Sequence, residues 1–403
     1  MTMNQTQVKV GGRLYFLDWV RVLAFALLIF YHTGMMFVDW SFHIESGHNS
    51  LFLKSIMMLT STWRLDVLFV VSGVAISVMV SKMSLLYFTW QRVLKLLVPL
   101  LFAVAVVVAP QSYFEALQKG VFDGTFWQFW TEHYFTFSWD DRMNAPFPTY
   151  NHLWYVLYLF WYTLLLLPLI AYINCDSGVV FLARCERFLS KGARILWLPL
   201  LGYFSFLTVF GNDEITHAFY NDWYGHCVYL FAVVLGLLFV RMPAIWLSFE
   251  RNRYLSLIVG LTGYLILLAD LHLPGNRPVG LPELSWAFVE SIVKWSWLSL
   301  VIGFARHHLN FTNKGLQYCS GIVYPFFILH QTVIIVIGFF VIGWGLSGVS
   351  EYWIIALGTF AICALLTEVL IKPVNGLRLM FGLKWKKRKS PVSQQVVAVT
   401  TSQ

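Results

Sequence analysis

Apolar residues run in ten long stretches separated by short polar connections, at 14–38, 55–80, 92–114, 151–173, 195–210, 223–240, 254–273, 284–305, 319–342 and 352–380. Most reach the roughly 20 residues that a helix needs to cross the hydrocarbon layer, where only structures that satisfy every backbone group internally are stable. The pattern therefore predicts an all-α integral membrane protein, a bundle of about ten transmembrane helices spanning residues 1–382. A basic and then polar tail, 383–403, is expected to be disordered. No internal repeat stands out.

Ionisable residues interrupt this pattern at telling places. In the first stretch Asp18, Arg21 and His32 share one helical stripe: at 100° per residue Arg21 and His32 differ by about 20°, and they lie about 16 Å apart along the axis. A charge at bilayer depth costs on the order of 2.5–3.5 kcal/mol, so such a file is read as part of a site or pathway facing the bundle interior. The second stretch carries Trp63, Arg64 and Asp66 at a depth similar to that of His32. An imidazole beside a carboxylate and a guanidinium suits acyl transfer to a hydroxyl: His32 as base, Asp66 as its orienting partner, Arg64 as donor to the developing oxyanion. For His32 the bland alternative is a hydrogen bond to a neighbouring helix.

Other polar residues fill in around these. His330 and Glu368 fall near the middle of the ninth and tenth stretches and are candidates to support the site. Ser72 is either a relay or, with Gly73, a close-packing position, the commoner use of such a pair. Glu290 and Lys294, spaced i, i+4, are expected to neutralise each other. His152 is expected at the membrane interface, where a histidine costs little. Arg21, Arg92 and Lys95 gather at inner ends of stretches, either snorkelling to headgroups or together binding the phosphates of an anionic donor. The 16 Å from Arg21 to His32 would suit an extended pantetheine arm. The long connection 115–150 interleaves aromatics with acids, and Trp127, Trp130 and Trp139 read either as an interfacial aromatic belt or as platforms for an acceptor sugar.

Composition and charge narrow the class. Hydrophobic residues make up 58% of the chain and charged ones 12%, and the mean hydropathy of +0.67 is that of a membrane protein. The net charge of +8 is mostly an orientation signal. Lys and Arg concentrate in the even-numbered connections and the tail, including the run 384–389, whereas Lys54, Lys119, Arg142 and Arg277 stand in odd ones. By the positive-inside rule both termini are cytoplasmic. Scattered over short loops, these cations give no support to nucleic-acid binding. The first stretch is too long and too charged for a cleavable signal peptide. The five cysteines suggest neither a disulfide nor a metal site, and no bound cofactor is expected.

At these residues the chain resembles a known family. Arg13-Leu-Tyr-Phe-Leu-Asp18-Trp-Val-Arg21 followed by Phe30-Tyr31-His32, then Trp63-Arg64-Leu-Asp66 through Ser72-Gly73, Arg92-Val-Leu-Lys95, His152-Leu-Trp154 and Phe327-Ile-Leu-His330, look like the acyltransferase-3 family of membrane acyltransferases, and most like its glucan-modifying members. Gln91 and Lys95 beside Arg92, and Gln331 after His330, depart from the family's usual pattern. The resemblance implies a ten-helix enzyme of the cell inner membrane that moves an acetyl or succinyl group from cytoplasmic acyl-CoA to a hydroxyl of an extracytoplasmic carbohydrate. It implies that His32 is the family's essential first-helix histidine, with Arg21, Arg64 and Arg92 at its arginine positions. The rival class is a proton-coupled transporter or exporter, with Asp18, His32, Asp66, His330 and Glu368 as its proton path.

Overall fold

The computed structural model describes residues 13–210, 215–272 and 283–386. Arg277 and most of the polar tail, residues 387–403, lie outside them. Among the described residues seven helices are long and apolar enough to cross a membrane as single spans, and three bent pairs bring the total to as many as ten. In order the helices are α1 (Tyr15–Gly34), α2 (Leu51–Ser61), α3 (Arg64–Val80), α4 (Leu85–Gln118), α5 (Trp154–Leu165), α6 (Leu167–Ile173), α7 (Asp176–Leu189), α8 (Arg194–Phe210), α9 (Trp223–Phe239), α10 (Pro243–Arg251), α11 (Arg253–His272), α12 (Glu283–His308), α13 (Lys314–Ile342), α14 (Gly348–Ile371) and α15 (Asn375–Met380). The start of α1 meets Phe311 through Trp19, and Glu368 on α14 bonds Tyr318 near the start of α13. Both ends of the described chain therefore lie at one membrane face, here the terminal face; the other is the distal face.

Prolines decide where several spans depart from the sequence expectation. α4 is longer than 92–114 and contains two π-helical stretches, Val93–Leu97 and Ala103–Val107, just before or around Pro99 and Pro110. Each proline lacks an N–H and crowds the carbonyl four residues back, and a widened turn relieves both. The fourth span bends by 52° at Leu166, ahead of Pro168. The tenth ends at Ile371 rather than Met380: Pro373 has no N–H to continue the ladder, Val374 beyond it is extended, and α15 is a separate short helix. α7 and α10 turn by 107° and 111° from their partners α8 and α9.

Two features of packing position the site. α3 and α9 pack backbone to backbone at Gly73 and Gly236, where a Cβ on either would collide with Val233 or Val70 main chain. Gly73 is thus the close-packing position that the Ser-Gly pair suggests. The second span begins at Leu51 and is interrupted at Thr62–Trp63, so Arg64 and Asp66 stand in the first turn of a new helix, below the distal face. The 115–150 connection folds over that face as a helical turn and a hairpin, β1 (Ser138–Asp140) paired antiparallel with β2 (Ala145–Phe147).

Candidate active site

α1 and α3 face each other along a seam that has a cavity at each end. On α1 the seam uses Leu14, Leu17, Arg21, Leu28 and His32; on α3 it uses Leu65, Leu68, Val71, Ala75 and Val78, the i, i+3, i+4 spacing of one helix face. The distal cavity, about 480 Å³, is lined by His32, Tyr31, Arg64, His152, Trp154, His217 and Gln331 and by loop residues of the distal face. The terminal cavity, about 570 Å³, is lined by Arg13, Asp18, Arg21, Ser81 and Lys82 with apolar side chains of α1 and α3. Between them lies a void of only about 20 Å³ bordered by Leu28, His32, Leu68, Tyr155 and Phe327.

His32 and Arg64 stand together in the distal cavity, as the stripe and the depth arguments require. His32 occupies the last turn of α1, and its buried Nδ1 has no hydrogen-bond partner among the described residues. Arg64 is 3% exposed. Its guanidinium lies 3.7 Å from the Tyr31 ring centroid, and Nε and Nη1 lack hydrogen-bond partners among the described residues. A buried guanidinium with donors to spare, at a helix N-terminus whose dipole also favours negative charge, is suited to a developing oxyanion.

Two further imidazoles extend a file from His32. The His32 and His330 ring centroids are 5.3 Å apart, and those of His330 and His152 are 5.0 Å apart. Nδ1–H of His330 donates to the Phe327 carbonyl at 2.6 Å, so its buried Nε2 carries a lone pair, unpartnered among the described residues. Nε2–H of His152 donates to the Ile328 carbonyl at 3.2 Å, and its Nδ1 accepts from the Gln111 amide at 3.4 Å. That amide also donates to Thr332 at 2.7 Å, while Gln111 Oε1 accepts from Asn151 at 3.0 Å and Gln331 at 3.3 Å. The network fixes the tautomer of His152 and couples α4, α5 and α13 around the histidines. His152, at the distal start of the fourth span, is therefore not left open to the interface but is 6% exposed at the site. The signal in the chain was Gln111 and Gln331, polar residues set within apolar stretches.

Other expected residues lie elsewhere. Asp66 does not orient His32; two positions along α3 from Arg64, it faces another way and pairs with Lys294 at 3.6 Å. Lys294 thereby has Asp66 as its ion-pair partner, and Glu290 lines the same separate polar cavity. Glu368 is not at mid-depth near His330 but at the terminal end of α14, bonded to Tyr318 at 2.6 Å and to Lys372. Ser72 meets the Tyr155 hydroxyl at 2.6 Å, between the two cavities. Arg21 lines the terminal cavity, held by Asp18 at 3.3 Å. Arg92 and Lys95 do not line it; Arg92 is buried against Phe88 and the Met79 sulfur, 3.2 Å away. Trp127 and Trp139 are exposed at 66% and 52%, and Trp130 donates to the Ala105 carbonyl at 2.8 Å. None of the three lines the distal cavity, whose loop wall is instead Met143–Ala145, Phe147, Thr149 and Asn151.

Comparison with known proteins agrees with this architecture. Glucans biosynthesis protein C of Escherichia coli O81 (strain ED1a) is 21% identical over 353 residues, 82% of this chain and 84% of that protein. Its counterpart in Escherichia coli (strain K12) is 26% identical over 147 residues, 36% of each chain, so that match spans about a third of the relative's length. No solved structure matches. The family model of an acyltransferase domain matches residues 14–368, nearly the whole membrane bundle, and the chain belongs to the acyltransferase-3 family: it is a multi-pass membrane acyltransferase.

Proposed function

We propose that this acyltransferase takes an acetyl or succinyl group from acyl-CoA at the terminal face and places it on a carbohydrate hydroxyl that enters from the distal face. The observation that carries the reading is the pair of cavities at opposite ends of the α1–α3 seam, one with Arg21, Arg13 and Lys82 in its wall, the other with His32 and Arg64. The cationic wall suits the phosphates of a nucleotide head, and the approximately 16 Å of helix between Arg21 and His32 suits an extended thioester arm. Opening the narrow stretch at Leu28 and Tyr155 would bring the thioester to His32. On this reading the terminal face is cytoplasmic and the distal face extracytoplasmic, as the loop cations suggest.

The reaction is then a direct transfer. The acceptor oxygen attacks the thioester carbonyl while His32 takes the hydroxyl proton, and Arg64 stabilises the tetrahedral oxyanion. The C–S bond breaks as the new C–O bond is completed, and the proton passes from His32 to the departing thiolate. Burial beneath the distal loops limits competing hydrolysis. The name of the similar proteins points to a glucan as acceptor.

The test is turnover of acetyl-CoA and succinyl-CoA by purified protein in nanodiscs with a glucan acceptor. Release of free CoA with one donor, reduced at least about 100-fold in a folded His32→Ala variant, is the expected result. Donor consumption unaffected by that substitution would remove His32 from the mechanism.

A further inference from the structure

Toward the mouth of the distal cavity stands a second group of polar side chains that the transfer step leaves unused. On α4, Glu115 lies about one helical turn beyond Gln111 and Lys119 about one turn further, a row rising from the histidine network toward the distal loops. Glu115 accepts from Lys119 Nζ at 2.6 Å and from Nδ1–H of His43. His43 Nε2 has no hydrogen bond among the described residues, and all three side chains line the cavity. Phe42 joins this group to the site below. Its ring is stacked on His32 with centroids 6.1 Å apart and planes at 28°, and its centroid is 5.2 Å from that of His43.

An aromatic face beside balanced donors and acceptors selects a particular chemistry. An apolar ligand would desolvate Lys119 and Glu115 without repayment, and an anion would meet the Glu115 carboxylate. A neutral polyhydroxyl ring can lay its CH face on Phe42 and bond its hydroxyls to His43 Nε2 and the Lys119 ammonium. We propose that Phe42, His43, Glu115 and Lys119 form a second sugar subsite, holding the unit next to the one acylated at His32, so that the acceptor has at least two linked units. This rests on the acyl-transfer reading above. His43 acts as a positioning residue, its ring held by Glu115.

The test compares a methyl glucoside with a glucose trisaccharide of the same linkage as acceptors for the full-length protein in nanodiscs. The trisaccharide is expected to have the higher kcat/KM, and in His43→Asn that advantage shrinks about tenfold through KM, the loss of roughly one hydrogen bond to a charged-pair network. Lys119→Ala, which alters a side chain 41% exposed, gives the same direction of effect should His43→Asn not fold. A preference undiminished in both variants overturns the subsite. A fall in kcat with KM unchanged and a shifted pH profile also overturns it, making His43 a proton-transfer group. Donor consumption with hydroxylamine but with neither sugar refutes the subsite and leaves acyl transfer standing; no consumption with any acceptor refutes the transfer reading itself.

Discussion

At the residue scale the distal cavity is lined by groups whose hydrogen-bonding capacity is only partly used among the described residues, His32 and Arg64 foremost. His217 shows the cost of burying an imidazole there. It lies outside the spans, on the loop before α9, stacked 3.9 Å from Trp154, and burial lowers its pKa to about 4. An unfolded histidine takes up its proton near pH 6.5, so between pH 6.5 and 4 the unfolded state binds more protons than the folded one, and stability falls as pH drops through that window. The expected contribution is about 3 kcal/mol at most, lost on acidification and absent in His217→Phe. Thermal unfolding in detergent between pH 7 and 4, with the two proteins compared, measures it; parallel curves would remove His217 as a source of acid sensitivity.

At the element scale the decisive contact is α3 on α9, since α3 carries Arg64 at one end and lines the terminal cavity at the other. Gly73 and Gly236 let the two backbones touch, and a methyl group at either must push them apart. Gly73→Ala is therefore expected to destabilise by about 1–3 kcal/mol and to lower activity by shifting Arg64, whereas Ser72→Ala, which removes a hydrogen bond to Tyr155, has the smaller effect on stability. Melting temperature and CoA release, measured together, test both; an unchanged Gly73→Ala protein would mean that the helices tolerate separation.

At the scale of the whole molecule, the seven to ten spans of the described residues place two cavities at opposite ends of one seam, and the enzyme's sidedness follows from which face each opens to. Lys82 lines the terminal cavity and Lys119 the distal one. In a protein stripped of its five native cysteines, Lys119→Cys is expected to react with an impermeant maleimide added outside intact cells, and Lys82→Cys only after the membrane is opened. The reverse pattern would invert the proposed orientation.

Much of this was legible in the chain itself. The number of spans, the stripe of Asp18, Arg21 and His32, the depth of Arg64 and the packing role of Gly73 all depend on local terms: apolar length, 100° and 1.5 Å per residue, and the bulk of one side chain. What faces what across helices depends on packing between segments far apart in sequence, and there local spacing is silent. Asp66 was as near to His32 as Arg64 by depth, yet two residues of helical rotation turn it to Lys294. His152 looked interfacial until α4 and α13 closed around it with Gln111 and Gln331, and His43 had no recognisable role before Glu115 met it 72 positions along the chain. The helices and their charged stripes belong to the sequence alone; the gathering of His32, His152, Arg64 and the carboxylate-held His43 about one cavity, with His330 packed behind the two imidazoles, is the work of tertiary packing, because only burial against neighbouring helices brings such groups together.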